Sequence, residues 1–447
     1  MKGSLFVAGT VLSAIGYAVP LEKRKADYIS SCGETWMAGD NVNSNAGKIA
    51  RVGYNSAVDS FCAKAGGQTV AANKFLSMVA RVWLDYGENP TSTGLNGFVY
   101  FEIHNKRGGD HVVNTDNCKT YLKKLSSGGE CYGKDNHDTK GGTYQVGADD
   151  VSYHALANKL PSSFESMDKT VTSDSAITAL GDGGKGNTLA PFPTYVFNDV
   201  VPVKCHSHND YERDTALYSA LQAGCISVEA DVYNKGGKLI VSHDDPGDSG
   251  PTFQDLYVTP LKDLLDQRGA IFPGKPDQGL DLLVDFKGAG DQTWDLVVQA
   301  LQPLRDAGYL SHYDNGFQKR LVTVIASGNA VVDGDVPEPI AKVRDANPGQ
   351  ALFVDARVDK DMSKFDTSNS YLASADFKKA VQGGGGQVSG GNLQKLRDQL
   401  KAAHDKGFAV RYWDVASEGQ WQQLIDEGVD RLNVDNLQNV AKLDFKL

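Results

Sequence analysis

The sequence predicts an α/β fold with a parallel sheet over residues 200–447. It predicts a smaller α+β domain held by disulfides over residues 27–160. Short apolar runs recur in the C-terminal part, and each ends in polar groups. They read Cys205-His206-Ser207-His208-Asn209-Asp210-Tyr211, Ser227-Val228-Glu229-Ala230-Asp231-Val232, Leu239-Ile240-Val241-Ser242-His243-Asp244 and Leu283-Val284-Asp285-Phe286-Lys287. Helical spacing over residues 215–223 and 256–267 lies between them, which is the alternation of a βα repeat. In the N-terminal part, Cys32, Cys62, Cys118 and Cys131 form an even set with three possible pairings.

From the start of the chain, residues 1–18 read as a secretory signal. Lys2 supplies the positive end, residues 5–18 the apolar stretch, and Gly16-Tyr17-Ala18 the small-residue cleavage site. That stretch is shorter than the about 20 residues of a membrane span. Within residues 19–26, Lys23-Arg24 suits a dibasic propeptide site or an ordinary charged linker. The expected product is secreted, extracellular and soluble.

Within residues 27–160, residues 48–65 carry amphipathic helical spacing and residues 98–104 alternate like a strand. Residues 118–125 suit a short helix, and residues 144–153 a strand pair. His104, His111, His137 and His154 fall on separate loops and strand ends, which argues against a shared metal site. The domain's role is left between binding a glycan or surface, acting as an inhibitory or folding module, and covering its neighbour. Residues 161–199, rich in Ser, Thr, Asp and Gly, read as a protease-sensitive linker.

After Lys287, residues 292–307 suit a helix, and residues 321–326 and 351–358 the fourth and fifth strands. Phe353, Asp355 and Arg357 share a face of the fifth. The sixth is either 371–377 or 386–389. Residues 408–414 and 431–434 are the last two strands, with helices over 392–406 and 419–426. Cys205 ends the first strand and Cys225 begins the second, which sets them at opposite levels of a parallel pair. At about 3.3 Å per residue that offset exceeds the roughly 7 Å a disulfide spans, so both are expected to be free thiols.

Strand periodicity of two puts His206 and His208 on one face, Glu229 and Asp231 on one face, and Asp285 and Lys287 on one face. Three converging carboxylates suit a hard divalent cation, Mg²⁺ or Ca²⁺. No dense Cys/His cluster points to zinc. Two histidines suit a general base and a general acid, and a lysine suits a phosphate oxygen. Metal-assisted phosphodiester cleavage is the reaction these parts share.

These residues resemble the phospholipase-C-like phosphodiesterase superfamily, which includes glycerophosphodiester phosphodiesterases and sphingomyelinase D. Within it they are most similar to the fungal "altered inheritance of mitochondria" branch, whose motif reads HxHNDY, then SVEADV, then a strand ending in His. The resemblance covers residues 200–447 and implies a TIM (β/α)8 barrel, typically about 250 residues. His206 and Asn209 match the H-x-x-N of sphingomyelinase D, and Glu229, Asp231, His243, Asp285 and Lys287 match as well. Glycerophosphodiesterases carry arginine after the first histidine, where this chain has Ser207. That departure leaves the substrate open, and also whether His206 or His208 is the essential histidine. The resemblance implies catalytic roles for His206, His208, His243 and Lys287, and metal ligation by Glu229, Asp231 and Asp285. It implies substrate contacts from Asn209, Arg411, Trp413 and Asp435, with core packing as the alternative for Trp413.

A net charge of −11 and a pI near 5.3 argue against nucleic acid and against general attraction to anionic membranes. Contact with a membrane surface, without a transmembrane segment, stays compatible with them. The expected function is a secreted, metal-dependent phosphodiesterase acting on a phospholipid, lysophospholipid or glycerophosphodiester. His206 would be the base and His243 the acid. No Ser, Cys or Thr stands among the matched residues as a nucleophile. The attacking oxygen therefore comes from water or from a neighbouring substrate hydroxyl, the latter giving a cyclic phosphate. The alternative is a catalytically idle barrel in a secreted wall- or glycan-binding effector.

Overall fold

The computed structural model describes residues 26–44, 49–85, 94–157, 169–170, 200–213, 215–288, 290–346, 351–381 and 385–446. The expected secretory signal and dibasic site lie outside these residues, as does the linker apart from Lys169–Thr170, which pairs in parallel with Leu76 and Ser77. No helix among the described residues is long and apolar enough to cross a membrane.

Eight parallel strands close into a barrel: β1 (Val203–Ser207), β2 (Cys225–Lys235), β3 (Leu280–Phe286), β4 (Val322–Gly328), β5 (Leu352–Arg357), β6 (Ser370–Asp376), β7 (Ala409–Trp413) and β8 (Arg431–Val434). Closure comes from β1, which pairs with both β2 and β8. The sixth strand is thus the first of the two candidates, where Tyr371 to Ala375 alternate. The run Leu239-Ile240-Val241 is no barrel strand. Lys238–Val241 turns back antiparallel on the end of β2. Gly236 and Gly237, at φ 58° and 83°, supply the positive dihedrals of a two-residue hairpin turn. This hairpin returns His243 to the mouth of the barrel.

Outward-facing Val228, Ala230, Leu282, Val284, Val324 and Val354 are buried against the surrounding helices, with Leu264, Trp294 and Leu400. Inside, Leu283, Ile325 and Leu372 form a separate small cluster. Toward the N-terminal end of the strands, Arg431 Nε lies 2.7 Å from Asp281 Oδ2. Truncating an interior residue such as Leu283 to alanine would cost about 2–5 kcal/mol. The helix expected over 292–307 is two, Gly290–Ala300 and Gln302–Asp306, since Pro303 cannot donate to a continuous ladder.

The expectation for Cys205 and Cys225 is overturned: they form a disulfide with Cα atoms 4.6 Å apart. The first strand starts at Val203, and Val203 pairs with Cys225, with an irregularity before His206. Cys205 is mid-strand rather than terminal, so the level offset is small.

The N-terminal domain is a nine-stranded sheet centred on the antiparallel hairpin Phe75–Asp85 and Gly94–Asn105. Helices Tyr54–Ala65 and Thr115–Lys123 cover one face, where Phe61 stacks on Phe101 at 4.9 Å. The first helix starts at Tyr54 rather than residue 48, because Ile49–Arg51 pairs with Val42–Ser44. Cys32–Cys131 and Cys62–Cys118 are the two disulfides here. Two of the scattered histidines meet on the sheet: the His104 and His154 rings are 4.2 Å apart, and His104 Nε2 lies 2.5 Å from Glu102 Oε2. The opposite end of that face contributes Val79, Phe98 and Tyr100 to the barrel's own core cluster. Asn96 Nδ2 donates to Gln222 O at 2.9 Å, beside helix Tyr218–Ala223. The domain therefore packs on the barrel wall next to the β1–β8 seam.

Candidate active site

Neighbouring strands β2 and β3 bring three carboxylates together. Glu229 and Asp231 are two apart on β2 and share its inner face, and Asp285 stands opposite Asp231 in the β2–β3 register. One oxygen of each lies within 4.8 Å of the others. Asp231 is 1% exposed, and its Oδ1 has no hydrogen-bond partner. Its Oδ2 lies 2.9 Å from Lys287 Nζ and 2.7 Å from Tyr211 Oη. Lys287 also reaches Asp285 Oδ1 at 3.1 Å. Gly328, at φ +60°, makes room for that carboxylate: a Cβ there would lie 2.3 Å from Asp285 Oδ1.

Burial, then the charges of Glu229 and Asp285, push the Asp231 carboxyl up to about 6. Burial also raises Asp285. Burial opposes ionisation of Glu229 too, but the Arg411 guanidinium, 3.4 Å from its Oε1, outweighs that with help from His206 and His208. Glu229 is held well below the usual carboxylate range. Mutually repelling carboxylates around a buried, unsatisfied oxygen fit a divalent cation with oxygen ligands.

The three histidines sit differently. His206 is fully buried, with Nδ1 2.7 Å from Ser227 Oγ and Nε2 3.7 Å from Glu229 Oε2. Burial, then Arg411, pushes it down to about 3, so its ring is neutral. His208 reaches the mouth, with Nδ1 2.6 Å from Asp435 Oδ1 and Nε2 3.6 Å from Glu229 Oε2. Burial would lower it, but the Asp435 hydrogen bond and the Glu229 charge raise it overall. His243, half exposed on the loop after the hairpin, has Nδ1 3.3 Å from Asp231 Oδ2.

Asn209 adopts φ 48°, a left-handed turn asparagine tolerates, and its backbone N–H donates to Glu229 Oε2 at 3.2 Å. Its Oδ1 lies 3.1 Å from Tyr211 Oη. Arg411 donates to Asn433 Oδ1 at 3.0 Å beside Glu229. Trp413 lies at the end of β7 against Arg411. Asp435 is engaged with His208, at the mouth. The structure thus brings every expected site residue to one end of the barrel.

Sequence reasoning gave no role to several residues there. Tyr211 was inside the quoted motif, and its hydroxyl links Asp231, Asn209 and, at 3.5 Å, His243 Nδ1. Arg213 fastens the seam: Nη1 donates to Asp435 O and Nη2 to His208 O, at 2.5 and 2.7 Å. Ser227 follows from its inward position on β2. Arg357 shares the inner face of β5 with Asp355, and strand spacing alone gives it no part in the site.

A family model described as an AIM6-like phosphodiesterase domain matches residues 194–338, which include all three carboxylates, Lys287 and the three site histidines. The chain is 34% identical over 282 residues to an "Altered inheritance of mitochondria protein 6 homolog" from Arthroderma benhamiae, a match covering 56% of this chain and 86% of that one. It is 31% identical over 283 residues to "Altered inheritance of mitochondria protein 6" from Eremothecium gossypii, covering 54% and 70%. A solved glycerophosphodiester phosphodiesterase from Parabacteroides distasonis aligns at 14% identity and a TM-score of 0.35, over 54% of this chain and 97% of that one. With its motif on the barrel strands and most of a relative's length matched, the chain belongs to the altered inheritance of mitochondria protein 6 family, with its phosphodiesterase-like domain.

Proposed function

We propose that this chain is a secreted, divalent-cation-dependent phosphodiesterase acting on phospholipids, lysophospholipids or glycerophosphodiesters. The observation that carries the reading is the orphaned Asp231 Oδ1, held among Glu229 and Asp285 with a histidine on either side. Glu229, Asp231 and Asp285 would hold Mg²⁺ or Ca²⁺. When bound, the cation neutralises charge developing on the phosphoryl oxygens. Lys287 places a positive charge on the same oxygens from the β3 side. The three disulfides suit an oxidising compartment and support secretion.

The proton-carrying role expected of His206 passes to His208. A fully buried imidazole with one nitrogen on Ser227 and the other 3.7 Å from Glu229 stays packed inside the barrel, whereas His208 reaches the mouth and is aligned by Asp435. His208 and His243 then act as the base and acid pair. The attacking oxygen is water or a substrate hydroxyl next to the phosphate, already held at high effective concentration. Phosphorus NMR of an early digest distinguishes linear from cyclic product.

Turnover of a panel of glycerophosphodiesters and lysophospholipids, in chelator and after restoring Mg²⁺ or Ca²⁺, tests the proposal. Activity that appears only with the cation is expected. Full activity in chelator, or none on any phosphodiester with the cation present, rejects it.

A further inference from the structure

On the β5–β7 side of the mouth lies a cationic group that the carboxylate site does not use. Asp355 is fully buried on β5, and Ser327 Oγ donates to its Oδ2 at 2.8 Å. The same oxygen accepts from Arg357 Nη1, also at 2.8 Å, which fixes the guanidinium at the strand end. Arg357 Cζ lies 5.4 Å from the Trp413 ring centroid, and Arg411 Cζ lies 5.8 Å from the same centroid. Among the described residues, Nη1 is the only guanidinium nitrogen of Arg357 with a hydrogen-bond partner. Arg411 differs, being buried and committed to Glu229 and Asn433.

We propose that Arg357 selects substrates whose alcohol carries a second anionic group, a phosphomonoester or a carboxylate, beside the scissile phosphodiester. This rests on the phosphodiesterase reading of the neighbouring site. An arginine held at one nitrogen keeps the rest of its planar fork for bidentate recognition of an anion. The two guanidinium groups share one indole with each other, so a quaternary ammonium seeking that ring meets two like charges rather than a free aromatic face. Arg411 touches both Trp413 and Glu229, which puts Arg357 and the carboxylate site at the same mouth. Zwitterionic choline headgroups are disfavoured on both counts.

The test compares kcat/KM on glycerophosphoinositol 4-phosphate, glycerophosphoinositol and glycerophosphocholine, using the full chain with cation and its Arg357→Gln and Arg357→Lys variants. Wild type is expected to prefer the 4-phosphate. Arg357→Gln should lower that preference about tenfold or more, the worth of a charged hydrogen bond, mainly through KM. Arg357→Lys should keep part of it. Equal treatment of the three diesters by wild type, or an equal loss on all of them in either variant, overturns the proposal. Calorimetric binding of the same three compounds separates the two claims. If no diester turns over, the enzymatic reading fails, while tighter Arg357-dependent binding of the 4-phosphate still supports this inference and equal binding defeats it.

Discussion

His208 Nδ1 lies 2.6 Å from Asp435 Oδ1, a contact joining the end of β1 to the end of β8 across the seam that closes the barrel. The carboxylate raises the imidazole and fixes which nitrogen faces Glu229. In the proposed reaction, His208→Ala should lower kcat by roughly 10²–10⁴-fold. Asp435→Asn keeps the shape but removes the charge that stabilises the imidazolium. His208 then takes its proton at lower pH, and the corresponding limb of the pH–rate profile moves down in pH. A limb that stays in place in Asp435→Asn assigns it to another group.

Cation binding should be readable without turnover. Thermal melting of the wild type should rise on adding Mg²⁺ or Ca²⁺ in excess of its dissociation constant, since a ligand that binds only the folded state stabilises it. Asp231→Asn should lose that rise. In chelator the same variant should melt no lower than wild type, because one of three repelling charges has gone. A cation-induced rise of equal size in Asp231→Asn removes Asp231 from the ligand set.

Gly328→Ala tests the cradle around Asp285. An added Cβ would meet Asp285 Oδ1 at 2.3 Å on a backbone with φ +60°, so the carboxylate has to move. Cation affinity should fall while the barrel still forms, since Gly328 is the last residue of β4. Isothermal titration with Mg²⁺ or Ca²⁺ measures this directly. Unchanged affinity would mean that Asp285 is free to shift without cost.

Much of this site was legible because strand periodicity fixes faces. Glu229 with Asp231, and Asp285 with Lys287, each follow from a spacing of two on a run whose alternate residues are apolar. What periodicity does not carry is level and closure. The Cys205–Cys225 disulfide depended on where β1 begins, and two residues at that boundary changed the answer. The pairing of His208 with Asp435 needed β8 beside β1, which only barrel closure supplies. Burial separates His206 from His208, and two histidines in one short motif give no sign of it. The N-terminal domain's contact with the wall was hidden in Phe98 and Tyr100, which alternate with Val99 and Phe101 on a strand buried on both faces.

His154 should make the N-terminal domain acid-sensitive. Burial, then the His104 and Lys106 charges, pushes its imidazole down to about 3, and its nitrogens lie 2.8 and 3.0 Å from the Ser152 and Thr143 hydroxyls. An unfolded histidine takes up its proton near about 6.5. Below that pH the unfolded state binds more protons than the folded one, so stability from this group is present above about 6.5 and falls as the pH drops toward 3. Urea unfolding at several pH values should show a shallower acid loss in His154→Gln than in wild type. Parallel curves would mean that His154 takes up its proton at the same pH in the folded and unfolded chain.

The Cys205–Cys225 bridge ties the strand carrying His206 to the strand carrying Glu229 and Asp231. It closes a loop with a sequence separation of 20. Chain entropy alone assigns such a cross-link about 3 kcal/mol. A Cys205→Ala, Cys225→Ala double variant should lose about that much in equilibrium unfolding. The bridged sulfurs are fully buried, so reductant should reach them slowly in the folded chain. The pairing also holds the His206–Ser227 contact in register, so the variant should lose turnover beyond what its unfolded fraction explains. Activity measured well below the unfolding transition separates the two effects. Full activity with reduced stability would make the bridge a stabilising element alone, and unchanged stability would show that the strand pairing sets the register without it.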